Sequence, residues 1–403
     1  MIAKTLLKAF TKTLLYSIIN QLNGGVCSLA YFDNSATTKP TEKVVNAMNF
    51  ALTECWGNPS SLHSLGTEAN NALNKAKKQV SSLLGCQSEN FFFTSSGTAA
   101  NNTAVFGAYA KQKRLGNRIV TTAIEHPSVL EPIKRLEQNG VEVIRINPDK
   151  NGNVNEDELF SSINDKTILV SMMAVNNEVG TIMPVSLIRS AIKRNKAPAL
   201  IHSDCVQAFG KIQFSPHSLG ADIITVSAHK IHGPKGVGGI YLKAKNIIKP
   251  YMLGGEQESN IFAGTQGMPA ILGFGQAAEE SKDILENSKK VTELKSYLLE
   301  NIKDLKGVRI NSPEDSLPYI LNLSILGLPS QPILNFMSER NIYISAGSAC
   351  KMGHRSPVLT AMGLDSKVID SAVRISFSRY NTKDEVNLLI DAIKEINQKY
   401  GKG

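Results

Sequence analysis

The chain has no CxxC pair, no long run of basic residues and no apolar stretch long enough to span a bilayer. Its five cysteines, Cys27, Cys55, Cys86, Cys205 and Cys350, are scattered and odd in number. That argues against a disulfide framework or a four-cysteine zinc site and favours a reducing, cytoplasmic setting. The net charge is +9, but without a basic arm no direct nucleic-acid partner is expected. Such basicity instead favours anionic ligands or acidic partners. The nucleotide-binding pattern GxxxxGK[ST] is missing, which excludes a P-loop. Aromatic residues are scarce at 6%, yet hydrophobic residues reach 42% and charged ones only 20%, an ordinary globular balance. At 403 residues the chain can bury a core without disulfides or metals.

Acidic residues are also absent from residues 1–32, where Lys4, Lys8 and Lys12 accompany Leu7, Phe10, Leu14, Ile18 and Leu22 at helical spacing. Three readings of the extension 1–30 stand side by side. It is a targeting segment, an amphipathic helix on a membrane or partner, or sequence upstream of the true start. The last rests on Gly24-Gly25-Val26, which the ribosome-binding-like GGAGGTG can encode three codons before Leu29, a residue a TTG start would specify.

From Tyr31 onward, short apolar runs alternate with helical stretches. Strands are expected at Phe91–Thr94, Arg118–Ala123, Val141–Ile146, Thr167–Ala174, Ala199–Asp204, Asp222–Ser227 and Gly238–Leu242. Helices are expected at Glu68–Leu84 and Val185–Asn195. This alternation predicts an α/β fold with a mostly parallel central sheet covered on both faces. A long helical segment, Gly275–Leu305, then leads to strands near Val308–Ile310, Ile320–Ile325, Ile342–Ser345 and Ala372–Ser376, with a last helix at Lys383–Tyr400. The expected division is a large domain, 31–275, and a smaller C-terminal α/β domain, 276–403.

Ligands of open α/β sheets bind beyond the carboxyl ends of the strands, and reactive residues follow five successive strands here. Ser95-Ser96-Gly97-Thr98 is a turn that opens a helix, suited to a phosphate or simply to capping. His126 suits stacking or proton transfer, or a structural role. Asn176 and Asn177 follow the next strand. Asp204 needs a cation to stay ionised near an apolar strand, and either a protonated pyridine nitrogen or a protein side chain would serve. Lys230, in Ser227-Ala-His229-Lys-Ile-His232, suits a Schiff base or a phosphate contact. His229 and His232 lack a third ligand, so no metal site is expected. Together a phosphate cradle, a stacking histidine, an aspartate for a pyridinium and a lysine for an aldehyde match the needs of pyridoxal 5'-phosphate. Farther on, Cys350 lies in a Gly/Ser-rich stretch beside Lys351, His354 and Arg355, a cationic setting that favours thiolate. The other four cysteines lack such neighbours. Arg374 has the two-pronged group that grips a carboxylate.

Taken together, YFDNSATTKP (31–40), GNPSSLHSLG (57–66), FTSSGTAANN (93–102), EHPSV (125–129), NNEVGTI (176–182), HSDCVQAFGK (202–211), SAHKIHGPKGVGG (227–239) and SAGSAC (345–350) resemble the cysteine desulfurases. These are class V, fold-type I pyridoxal-phosphate enzymes. The resemblance implies a homodimer that takes sulfur from L-cysteine, releases alanine and forms a Cys350 persulfide. The sulfur then goes to an acceptor protein, an iron–sulfur scaffold or a sulfurtransferase serving thio-cofactors and tRNA. It implies that Lys230 carries the cofactor and moves protons, that His126 stacks on its ring and that Asp204 pairs with its nitrogen. Gln207 and Asn177 would bond around its phenolic oxygen and the substrate. Gly97, Thr98, Ser227 and His229 would hold the phosphate, with Thr265 reaching the phosphate of the other subunit, and Arg374 would bind the substrate carboxylate. Gly347 and Gly353 are the expected hinges of the cysteine loop. Ser259 and Phe262 stand where relatives commonly carry basic residues. Alternative readings are a selenocysteine lyase, another C–S lyase, or a weakly active sulfur-transfer partner.

Overall fold

The computed structural model describes residues 29–347 and 355–400. Its centre is a seven-stranded sheet formed by β2 (Phe91–Thr94), β3 (Arg118–Thr122), β4 (Glu142–Ile146), β5 (Thr167–Ser171), β6 (Leu200–Asp204), β7 (Ile223–Ser227) and β8 (Gly238–Leu242). The spatial order is β2-β8-β7-β6-β5-β3-β4, and only β8 runs against its neighbours. β2, β5, β7 and β8 are short, mostly apolar and buried throughout because both faces are covered, whereas the edge strand β4 is partly exposed. Phe92, Ile119 and Ile240 pack on one side with Ala104, Val105 and Ala108 of the helix Gly97–Gln112. Phe91, Phe93, Val120 and Val226 pack on the other, beneath the helices Ser64–Leu84 and Met268–Glu279.

The chain proceeds from β4 back across β3 to β5, and this reversal opens a crevice at the carboxyl ends of β3, β5 and β6. Local signals place the helices that follow. Ser96 caps Gly97–Gln112 by accepting from Ala99 N–H, and His126 caps Pro127–Gln138, whose first residue is the proline favoured there. Gly238 permits a close approach: a Cβ on it would lie 2.6 Å from the Ser96 carbonyl carbon. Without that clearance the Ser96–Gly97 turn could not rest on β8.

A second, antiparallel sheet is ordered β12-β10-β9, from Ala372–Ser376, Ile320–Ile325 and Val308–Ile310. The N-terminal strand β1 (Ala30–Tyr31) pairs in parallel with β11 (Ile342–Tyr343), so the first described residues join C-terminal elements. Phe32 packs edge-on against Phe377, and Asp33 bridges to Ser376.

The long helix expected over 275–305 is two helices, Met268–Glu279 and Ile284–Ile302. Tertiary partners hold the break. Thr41 Oγ1 donates to Glu280, while Arg379 donates to Ser281 Oγ, which itself donates back to Ala277 O. β5 likewise ends at Ser171 rather than Ala174, although Met172 and Ala174 continue to bond to the chain of β6.

Candidate active site

The site begins at the end of β6, where the buried strand delivers Asp204 into the crevice, 5% exposed. Its Oδ1 accepts the Val206 N–H at 2.9 Å and its Oδ2 accepts Asn101 Nδ2 at 2.7 Å. Among the described residues no lysine or arginine forms an ion pair with it. A buried carboxylate with two neutral donors and no side-chain cation suits a cationic ligand group.

Lys230 sits on the tight turn after β7. Its Nζ donates to the Ser35 and Ala36 carbonyl oxygens at 2.6 and 2.7 Å. Burial, then the Arg374 charge, lowers its pKa to about 8 against the pull of Asp33 and Asp204. Gln207 Nε2 also donates to Ser35 O, at 3.0 Å, and Gln207 Oε1 accepts from Lys211 Nζ at 2.8 Å. Lys211 is itself buried, which brings its pKa to about 7 with help from Lys230 and Arg374.

Arg374 enters from the interior of β12. Nη1 donates to Asn177 O at 2.9 Å, and Nη2 donates to Asp33 Oδ1 at 2.9 Å and Ser345 Oγ at 3.1 Å. Its Nε is buried without a hydrogen-bond partner among the described residues, as is the Ser35 hydroxyl. These orphaned groups lie beside the Lys230 turn, where an unfilled donor suits a polar ligand.

The opening of the helix Gly97–Gln112 carries no acidic residue in its first turn, and its leading N–H groups lack intrahelical partners. Gly97 is buried against Ser227, whose Cβ would lie 3.2 Å from a Cβ on residue 97. Thr98 is exposed. The His229 ring approaches Thr37 Oγ1 at 3.3 Å, and burial plus the Lys230 charge lowers its pKa to about 3. These donors fit an anion such as a phosphate.

The His126 side chain is exposed, yet the protein around it disfavours the charged ring, with Lys230 adding to the effect and Asp204 opposing it. Lys230 and Gln207 share the Ser35 carbonyl, and Arg374 holds Asn177 and the neighbouring Asp33. Asp204 acts on Lys230 electrostatically while Asn101 and Ser128 tie it to His126, with Gly97 and Ser227 alongside. Thr265 is exposed on the loop before Met268–Glu279, outside this hydrogen-bonded set. On that loop Glu258, Ser259 and Asn260 all have left-handed backbone, with φ of 47°, 56° and 65°. The Glu258 carboxylate holds the bend by accepting from Phe93 N–H and pairing with Lys77 at 3.0 Å.

Cys350, Lys351 and His354 lie outside the described residues, as do Cys27 and Gly353. Arg355 is described, and its guanidinium is held by Asp370 at 2.7 and 2.9 Å, so Asp370 already partners the charge expected to face the cysteine. Burial raises the thiol pKa of Cys55, Cys86 and Cys205, with Cys86 reaching about 12. None of those three is poised as a nucleophile.

Several polar residues of the site escaped the sequence reading. Asn101 and Ser128 fell inside quoted motifs with no role assigned, as did Asp33 and Ser35. Glu125 is buried, with Oε1 accepting from Thr122 Oγ1 at 2.7 Å and Met173 N–H at 2.9 Å and its other oxygen unpartnered among the described residues. Burial raises its pKa to about 8. Glu178, equally buried, accepts from the Ser356 hydroxyl. A charged residue inside a run bound for the interior was the available signal for both.

Three comparisons bear on this arrangement. The pattern of the family described as Aminotransferase class-V matches residues 30–389. A cysteine desulfurase IscS of Methanosarcina thermophila is 36% identical over 373 residues, which is 92% of each chain. A putative cysteine desulfurase IscS 1 of Bacillus subtilis is 35% identical over 91% of this chain and 98% of its own. Among solved structures, a NifS-like protein superposes with a TM-score of 0.87 at 37% identity, covering 92% of this chain and all of the other (100%). The coverage, the sheet order and the residues gathered at its carboxyl edge agree, and the chain belongs to the class V aminotransferase family, within its cysteine desulfurase group.

Proposed function

We propose that the protein takes sulfur from L-cysteine with pyridoxal 5'-phosphate, releasing L-alanine and leaving a persulfide on Cys350. The observation that carries the reading is Asp204, buried and hydrogen-bonded but unpaired with any protein cation among the described residues, within electrostatic reach of Lys230.

In this reading Lys230 holds the cofactor's aldehyde carbon, Asp204 its ring nitrogen, and Gly97, Thr98, Ser227 and His229 its phosphate. Bound there, the cofactor supplies an electron sink for bonds at the substrate α-carbon. The chain's own groups do the rest. Lys230, with a pKa of about 8, releases and recovers a proton near neutral pH. Arg374 receives the substrate carboxylate, its Nε–H having no hydrogen-bond partner among the described residues. Asn177 and Gln207 orient ring and substrate, and His126 covers the ring. The C–S bond breaks with its electron pair left on carbon, which takes a proton to become the alanine methyl. The sulfur joins the Cys350 thiolate.

The same reading makes the protein a cytoplasmic homodimer that hands its persulfide to an iron–sulfur scaffold or a sulfurtransferase. No helix among the described residues is long and apolar enough to cross a membrane. The strongly exposed Tyr251 and Leu253, on the stretch leading to Thr265, support a subunit contact there. Residues 31–275 are assigned to the cofactor-bearing domain and 276–403 to the smaller one.

The test incubates the full chain with pyridoxal phosphate and L-cysteine and measures alanine and protein persulfide. Equal formation of both is expected, with persulfide lost in Cys350→Ser. A protein that stays colourless with the cofactor overturns the cofactor assignment, and full alanine production by Cys350→Ser overturns the persulfide step.

A further inference from the structure

His126 is both a candidate stacking residue and the N-cap of the helix Pro127–Gln138. A capping side chain accepts a hydrogen bond from a helix N–H. Here the acceptor is Nδ1 of the imidazole, 3.1 Å from the Ser128 backbone nitrogen. A nitrogen that accepts there carries no proton of its own.

The surrounding hydrogen bonds impose the same direction. As a carboxylate, Asp204 can only accept, so Asn101 turns its Nδ2 toward it, at 2.7 Å. The other Nδ2 hydrogen goes to Ser128 Oγ at 2.8 Å, while Asn101 Oδ1 accepts from the Thr225 hydroxyl. Thr225 Oγ1 is then left to accept from His202 Nε2 at 3.3 Å, and His202 Nδ1 accepts from Ser171 Oγ at 2.8 Å. Ser128 Oγ already receives Asn101, and its own proton faces His126 Nδ1 at 2.7 Å. Two donors of one residue therefore converge on one ring nitrogen. The links are buried: Ser171, His202 and Thr225 are each 0% exposed and Asn101 is 1% exposed.

We propose that Ser128 is a positioning residue for His126, holding its ring as the neutral Nε2–H tautomer, a donor rather than an acceptor at Nε2. This rests on the cofactor site proposed above and adds a reason for it. An imidazolium lying on a protonated pyridine ring would set two like charges face to face, whereas a neutral ring avoids that repulsion. The charged or titratable groups that act on the ring are Asp204, Lys230 and His229. Asn101 ties the ring to Asp204, so the residue that reads the ring nitrogen and the residue that covers the ring share one hydrogen-bonded frame. The chemistry assigned to His126 is accordingly hydrogen-bond donation from Nε2.

The experiment is nitrogen NMR of the full chain labelled with 15N-histidine, recorded at neutral pH before and after pyridoxal phosphate is added. The His126 pattern is identified by its loss in His126→Gln. The expected pattern has a protonated Nε2 and an unprotonated Nδ1 in both states. Ser128→Ala should reduce the ratio of the Nε2–H to the Nδ1–H form roughly three- to tenfold, the worth of one hydrogen bond. Ser128→Thr, which keeps the hydroxyl, should restore it. A wild-type ring with its proton on Nδ1 overturns the proposal, as does a Ser128→Ala ring indistinguishable from wild type. The wild-type spectrum decides the tautomer even if the alanine variant fails to fold. Failure of the cofactor reading shows separately, as no protein-bound absorbance once unbound pyridoxal phosphate has been removed.

Discussion

The seven-stranded and three-stranded sheets both feed the candidate site, but from different parts of their strands. The large sheet contributes at strand ends: Asp204 closes β6, and His126, Asn177 and Lys230 follow β3, β5 and β7. The small sheet contributes from within, because Arg374 is the middle residue of β12 and lies opposite Asn322 of β10. Parallel strands all finish at one edge, so their loops converge without further instruction. An interior residue of an antiparallel strand reaches a site only when something covers that face. Here the cover is the segment 33–36 and the Asn177 loop, which accept from Arg374, Lys230 and Gln207.

The comparison can be broken from either side. The largest effect is expected at a strand end: Lys230→Ala should cut alanine formation by about 10²–10⁴-fold, the usual contribution of a placed proton carrier. Steady-state rates check this, and a loss below tenfold would remove Lys230 from the chemistry. On the small-sheet side, Arg374→Lys keeps the charge but loses the fork. It should raise KM for cysteine by about 10- to 100-fold while kcat changes less, as expected when a charge-assisted pair is lost. A kcat loss with unchanged KM would mean that Arg374 serves mainly to hold Asp33 and Asn177.

A smaller effect, on stability, comes from Glu125. Its folded pKa of about 8 lies above the ordinary carboxyl value of 4.5, so the unfolded chain ionises first. Its stabilising share is complete below about pH 4.5 and is lost as pH rises through about 8. Glu125→Gln lacks that loss. Its unfolding free energy relative to wild type, followed by thermal unfolding, should climb between pH 5 and 8.5 by an amount on the order of a few kcal/mol. A pH-independent difference would show that Glu125 is already ionised in the fold. The smallest effect belongs to Arg355, whose pair with Asp370 is exposed. Arg355→Gln should leave the thermal unfolding transition indistinguishable from wild type.

Strands were legible wherever an apolar run was bounded by turn residues. Phe91–Thr94, Gly238–Leu242 and Ala372–Ser376 match their expected limits because each is buried on both faces. The helix expected over 275–305 was not, since its break at residues 280–283 is held by Thr41 and Arg379, distant in sequence. The strand-end residues could be read because order along the chain maps onto position along one edge. Asn101 could not, since nothing local distinguishes an asparagine in a helix's second turn from a solvated one.

Sequence alone determined the alternation of strands and helices, and with it a parallel sheet whose reactive residues share an edge. It also marked Lys230, Asp204 and His126 by the motifs around them, since polar residues directly after apolar runs are few. Only the tertiary structure decided which donors face which acceptors. That, among the described residues, Asp204 lacks a protein cation and Arg374 keeps one N–H unpartnered, and that Ser128 aims both its donors at His126, all depend on contacts between segments. Hydrogen-bond direction requires distances and angles, and those exist only once the chain has closed on itself.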